Sequence, residues 1–305
     1  MTNRRQGSLH LFRFAGIDVF LHWSWFLFAA FEITRTGGYF FLGWNLLEYL
    51  SVFILVTLHE YGHALACRQV GGTANQIMLW PLGGIAYVHP PARPGATLWS
   101  IAAGPLVNVA LLFVFFPLGI ILDRSLGLAK TVPDAHSFLV ALLIINLVLL
   151  GFNLLPIYPL DGGQILRCLL WFVLGHARSL LVSVAVGFAG VAGLLVLAGW
   201  RRSAWLGVLA IYILMNCWGG LRQAQVLYRL SKLPHHEGFA CPSCKAAPPV
   251  GRFWRCTQCA EVFDTFQTRG VCPYCTGPVA GTPCLYCRTQ SPFGEWVTHT
   301  PVPVN

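Results

Sequence analysis

The stretch TLHEYGHAL, Thr57 to Leu65, lies within an apolar run, Trp44 to Ala66, that is long enough to cross a bilayer as a helix. Ionisable groups are costly in such a segment and normally face a polar interior or a functional site. The rest of the chain has the same character. Of 305 residues, 56% are hydrophobic and 10% charged, and mean hydropathy is +0.62, well outside the range of soluble domains. Comparable apolar segments occur at Ile17 to Ile33, Thr97 to Leu122, Ser137 to Leu155, Leu180 to Trp200 and Ala204 to Trp218. The expected fold is therefore an all-α polytopic membrane protein with about six transmembrane helices.

The first segment follows Arg4, Arg5 and Arg13 but does not have the form of a signal peptide. His22 interrupts it, no small-residue cleavage pattern follows, and more spans come after it. The formal charge of +9 is scattered along short loops rather than gathered in a block. With the amino terminus inside, ten basic residues from Arg4 to Lys232 fall on the cytoplasmic side. Arg35, Arg124, Lys130, Arg201 and Arg202 fall outside. This bias favours a multi-pass protein of the cell (plasma or inner) membrane with both termini cytoplasmic, although Arg201 and Arg202 run against it.

Hydropathy collapses after Leu230, and SKLPHHEGFA reads as a linker. The domains are accordingly expected at 1–232, membrane-embedded, and 233–305, a small cytoplasmic zinc-ribbon domain. The second holds four Cys-x-x-Cys pairs: Cys241 with Cys244, Cys256 with Cys259, Cys272 with Cys275, and Cys284 with Cys287. Such pairs form knuckles that present two thiolates to one tetrahedral ion. Taken in order, the eight make two structural zinc sites whose metal would supply much of the folding energy. A disulfide framework would need an oxidising compartment, which the topology argues against. His235 and His236 could be substitute ligands, though solvated linker histidines are the plainer reading. Phe253, Trp254, Phe263, Phe266, Tyr274 and Tyr286 could stack on bases. The tail is only slightly basic, so a module binding a regulatory protein fits better than nucleic acid. Cys67, Cys168 and Cys217 read as buried packing residues.

On a helix, His59 and His63 project from one face a turn apart, with Glu60 beside them. This is the HExxH arrangement, two imidazole zinc ligands with a carboxylate placed as general base. Catalytic zinc usually takes three protein ligands. FNLLPIYPLDGGQILR, Phe152 to Arg167, offers another donor: Pro156 and Pro159 break the helix, Gly162 and Gly163 free the backbone, and Asp161 stands where helix can resume. Alone, Asp161 would read as a helix N-cap. Beside HExxH it reads as the third ligand.

HEYGH at His59 to His63 and NLLPIYPLDGG at Asn153 to Gly163 resemble the motifs of the site-2 protease family, zinc metalloproteases that cut within the membrane. GIDVFLHWSW, PLGGIAYV and AGPLVN, Ala103 to Asn108, are weaker matches, and the resemblance covers roughly Gly16 to Leu221. It implies a six-span core with His59, His63 and Asp161 on zinc and Glu60 as the catalytic residue. No PDZ domain fits between the spans, no CBS-like pair follows, and the zinc-ribbon tail lies outside the family core.

The implied reaction is endoproteolysis of a membrane-anchored protein substrate in or near the lipid bilayer. Asn153 is either a further donor to substrate or oxyanion, or a polar cap on broken backbone. Asn75 to His89 looks like two short extended runs around Gly83 and Gly84, forming either a plain hairpin or an edge on which an unwound substrate pairs. His22 either lines a water-admitting cavity or bonds between spans. Two other classes remain at this level: a zinc-dependent transporter or channel, and a membrane tether with an interaction module. HExxH separates the first, because transit needs no base beside the ligand, and the intact Glu60 speaks against the second.

Overall fold

The computed structural model describes residues 7–27, 39, 41–80 and 83–298. Arg4, Arg5, Arg35 and residues 28–33 of the first expected span lie outside them, as do Pro81 and Leu82 of the glycine loop. Among the described residues, five helices are long and apolar enough to cross a membrane. They are α1 (Leu42–Gln69), α2 (Pro94–Leu126), α3 (Pro133–Leu154), α4 (Asp161–Trp200) and α5 (Ala204–Leu230). The chain is a multi-pass membrane protein. Helix α2 packs against α1 and α3, and α4 runs along α5. Several helices are longer than the apolar windows read from the sequence. Helix α4 thus begins nineteen residues before Leu180 and kinks at Gly175.

The start of the first expected span is corrected. Ile17–His22 is a strand, β2, paired antiparallel with β1 (Ser8–Phe14) and parallel with β3 (Thr73–Trp80), while β4 (Gly83–His89) completes the sheet in the order β1-β2-β3-β4. Ile17, Val19 and Leu21 alternate inward onto Val56, Tyr61, Ala64 and Cys67 of α1. A short apolar run with period two satisfies a hydropathy window as readily as a helix does, and β-branched residues at the inward positions decide for the strand. The expected hairpin around Gly83 and Gly84 is present as β3–β4, widened into a four-stranded sheet. The parallel β2–β3 pair requires a crossover, and α1 lies within it.

His22 ends β2, stacks on Trp80 with ring centroids 3.8 Å apart, and lies 2.6 Å from Ser24 Oγ through Nδ1. His22 thus matches neither of the two sequence readings: its hydrogen bond is local, its stacking partner is on β3, and it is not among the residues that line the cavity beside His59 and His63. Cys67, Cys168 and Cys217 are buried, as expected of packing residues.

The tail is built on two thiol clusters and an aromatic core. Cys241, Cys244, Cys284 and Cys287 form one cluster, and Cys256, Cys259, Cys272 and Cys275 the other. The sequential assignment is therefore corrected to a nested one, with the inner pairs of knuckles closed inside the outer. The cause is the packing of Trp254, Phe266 and Trp296, which brings the first and last knuckles together. Across each cluster the nearest sulfurs are 3.6–3.7 Å apart. That is far longer than a disulfide and close to the ~3.8 Å edge of a tetrahedron with Zn–S bonds of about 2.3 Å. Backbone N–H groups of Cys259 and Gln258 aimed at Cys256 draw its thiol below the ordinary range.

His235 and His236 belong to neither cluster. His235 Nε2 lies 2.9 Å from the Tyr286 hydroxyl, and His236 Nε2 lies 2.9 Å from buried Asp264, so they are structural rather than solvated. Trp254, Phe263 and Phe266 are buried and offer no stacking surface. Tyr286 packs on the hydrophobic cluster shared by α4 and α5, seating the tail against the bundle.

Nested pairing makes a specific prediction. With cadmium-113 in place of zinc, Cys241→Ser and Cys287→Ser should each perturb the same NMR resonance and spare the other; sequential pairing would have them perturb different ones.

Candidate metal centre

Helix α1 continues unbroken through the HExxH segment, so the i, i+4 spacing turns His59 and His63 to one face. After α3 ends, Leu155 to Leu160 bridge without regular structure, and α4 restarts with Asp161 as its first residue. The second half of the break is covered by protein or faces a cavity, as irregular backbone between spans requires: Ile157 and Tyr158 pack against α4 and α5, and Pro159 and Leu160 line a cavity, while Leu155 and Pro156 are exposed.

These elements bring the three expected ligands together. Asp161 Oδ2 is 3.0 Å from His59 Nε2 and 3.3 Å from His63 Nε2, and the two Nε2 atoms are 3.1 Å apart. Both histidines are buried. On the far side of the rings, His63 Nδ1 lies 2.9 Å from the Ser100 carbonyl and His59 Nδ1 lies 2.6 Å from Asn108 Oδ1. A carbonyl and an amide oxygen only accept, so each Nδ1 donates, and a neutral ring then keeps its lone pair on Nε2. Two lone pairs and a carboxylate oxygen at this separation repel unless a cation lies among them. The spacing is close to the ~3.3 Å edge of a tetrahedron with bonds of about 2.0–2.1 Å, and two imidazoles with one carboxylate suit catalytic zinc.

Glu60 is buried next to the cluster, and its Oε2 accepts a hydrogen bond from the Ala86 backbone N–H of β4, 2.8 Å away. Strand β4 passes over it so closely that a Cβ on Gly84 would overlap Glu60 Cγ and stand 2.6 Å from its Cδ. Gly104 of α2 does the same for the histidines: a Cβ there would overlap His63 Nε2 and stand 2.9 Å from His59 Nε2. A cavity of about 330 Å³ opens at this point, lined by the three ligand residues, Glu60, Gly83, Gly84 and Asn153. All the residues singled out from the sequence for this centre therefore meet in one place.

Sequence reasoning missed several polar neighbours. Gln164, Tyr212 and Asn216 line the same cavity from α4 and α5. Asn108 had been noticed only as part of a resemblance, and Asn146, which bonds to it, not at all. Both are amides inside otherwise apolar segments, and the cost of burying an amide in a span was the signal available.

The chain is similar to known proteins in sequence and in fold. A family model described as Peptidase family M50 matches residues 48–129 and 127–197. The chain is 32% identical over 180 residues to zinc metalloprotease MJ0392 of Methanocaldococcus jannaschii, covering 59% of this chain and 50% of that protein. It is 32% identical over 154 residues to YwhC of Bacillus subtilis, covering 40% of this chain and 69% of that protein. It therefore spans about half the length of MJ0392. A solved site-2 protease from M. jannaschii shares the fold with a TM-score of 0.52 at 24% identity, covering 70% of this chain and 95% of that one.

The two glycines separate metal binding from the neighbouring carboxylate. Gly104→Ala should remove about one zinc per chain, the catalytic one, while leaving the helical circular dichroism intact. Gly84→Ala should keep the full zinc content and displace Glu60.

Proposed function

Because the chain belongs to peptidase family M50, we propose that it is an intramembrane zinc endopeptidase that cleaves membrane-anchored proteins. The observation that carries the reading is the meeting of His59, His63 and Asp161 beside buried Glu60 in a cavity among apolar helices. A base next to the ligands suits hydrolysis and has no use in ion transit, and nothing favours the transporter alternative.

Zinc held by the three residues supplies Lewis acidity, which lowers the pKa of water to about 7 and polarises a carbonyl. Glu60 takes the proton from the attacking water and returns it to the departing amine. The Ala86 N–H holds the carboxylate in place for both transfers. Asn153, at the cavity wall on the last turn of α3, is placed to donate to the substrate carbonyl or the oxyanion.

A helical substrate keeps its peptide groups in internal hydrogen bonds, so it must unwind before attack. The outer edge of β4 provides partners for the freed groups by strand addition, with Gly83 facing open space where a second backbone can approach and Gly84 making room for Glu60 beneath it. The Ala86 bond to Glu60 ties that edge to the base, so a strand added there lies alongside the reacting groups.

The distribution of basic residues supports a cell-membrane protein with both termini cytoplasmic. The division into a membrane domain, 1–232, and a zinc-ribbon domain, 233–305, follows the loss of apolar spans and the two four-cysteine clusters. One catalytic and two structural zinc ions match the three ligand groups. With Trp254, Phe263 and Phe266 committed to the core and the tail only slightly basic, the tail is suited to a regulatory protein partner better than to nucleic acid, although Phe253 and Tyr274 are exposed.

The test is Glu60→Gln in the full chain, assayed in proteoliposomes with membrane-anchored substrates. Zinc content should be unchanged and cleavage should fall by about 10²- to 10⁴-fold. Cleavage at the parent rate would overturn the hydrolase reading.

A further inference from the structure

We propose that Asn146 of α3 is a positioning residue that determines which ring nitrogen of His59 carries hydrogen, and so keeps His59 able to bind metal. The inference rests on the zinc reading above and extends it to a residue two hydrogen bonds away from the metal ligand.

The argument starts from an atom whose role is fixed. Asn146 Nδ2 lies 2.9 Å from the backbone carbonyl of Asn108, which can only accept. The NH₂ end of Asn146 must face that carbonyl, so its Oδ1 faces the Asn108 side chain. There it accepts from Asn108 Nδ2 at 2.7 Å. With its NH₂ committed, Asn108 turns Oδ1 toward His59 Nδ1, 2.6 Å away. Nδ1 must then donate, which leaves the Nε2 lone pair directed at His63 and Asp161. Each polarity forces the next, from a carbonyl on α2 through an amide on α3 back to a histidine on α1.

Without Asn146 the Asn108 amide loses the partner that distinguishes its two ends. Turned over, it would offer NH₂ to His59 Nδ1 and select the tautomer with hydrogen on Nε2, which cannot ligate. Both asparagines are 0% exposed, so the network is shielded from bulk solvent. His63 has no such dependence, since its Nδ1 bonds directly to the Ser100 carbonyl. His59 is the ligand whose tautomer is set by replaceable side chains.

The position of Asn146 fits this role. Between Ser137 and Asn153 it is the single polar side chain in an apolar run. Its neighbours Leu147 and Val148 are exposed on the bundle surface while Asn146 points inward. An amide at that depth is stabilised only with both ends bonded.

The experiment compares full-length parent, Asn146→Leu and Asn146→Asp in detergent, with His59→Ala defining the metal held by the tail alone. Zinc retention is titrated against a chelator, and nitrogen-15 NMR reads the histidine tautomers of the metal-free chains. Asn146→Leu should weaken catalytic zinc by about 10- to 100-fold and mix the His59 tautomers. Asn146→Asp should stay close to the parent, because a neutral carboxyl supplies both the donor and the acceptor. The metal-free parent should show hydrogen on His59 Nδ1.

The inference is overturned if Asn146→Leu holds zinc as the parent does, if the two variants weaken equally, or if the parent's His59 ring carries no hydrogen on Nδ1. Should Asn146→Leu fail to fold, the parent tautomer and Asn146→Asp still decide. A parent that retains no more zinc than His59→Ala would instead sink the metal reading itself, and the tautomer would still test the relay.

Discussion

Two imidazole lone pairs and a carboxylate oxygen, all within 3.0–3.3 Å of one another inside an apolar bundle, form an arrangement that a cation must balance. Much of the membrane domain can be understood as what holds these atoms together. Helix α1 stays regular so that two histidines share a face. Between α3 and α4 the chain does the opposite and gives up regular structure, which lets Asp161 enter at the start of a helix. Helix α2 lies close enough that Gly104 has no room for a side chain. The part of the broken backbone nearest Asp161 is covered by α4 and α5 or faces the cavity, as irregular chain in a membrane requires.

The sheet brings a second chemistry to the same place. It packs on α1 through Ile17, Val19, Leu21 and Ile77, an ordinary strand-on-helix core of alternating apolar residues. Its β4 member hydrogen-bonds to Glu60 and crowds it through Gly84. The surface that could pair with an extended peptide is thus physically continuous with the carboxylate beside the metal ligands. Under the proposed function, binding and proton transfer would share one element, since β4 touches Glu60 through the Ala86 hydrogen bond and the Gly84 contact.

The tail follows a different logic, with few apolar residues and eight thiols. Its aromatic core of Trp254, Phe266 and Trp296 is small, and Asp264 ties loops together by accepting from Gly251, Phe266 and Gln267 backbone N–H groups. Metal in the two thiol clusters would supply the cross-links that so small a core lacks. Tyr286, placed between two ligands of the outer cluster, packs on α4 and α5, so the folding of the tail and its seat on the bundle depend on the same knuckle.

The sequence by itself determined the membrane class, the HExxH face, Asp161 as the further donor and the four cysteine pairs, because each is a local pattern: an apolar length, a helical spacing, a proline break or a two-residue knuckle. Patterns that local physics leaves degenerate were decided only in three dimensions. Ile17–His22 is apolar enough for a helix and became a strand once β1 and β3 lay beside it. The knuckles could have joined in order, but the aromatic core nested them. Asn108 and Asn146 are 38 residues apart, and neither reads as part of a metal centre until three helices align them. Hydrogen-bond polarity and ligand convergence are relations between distant segments, so no single stretch of the chain carries them.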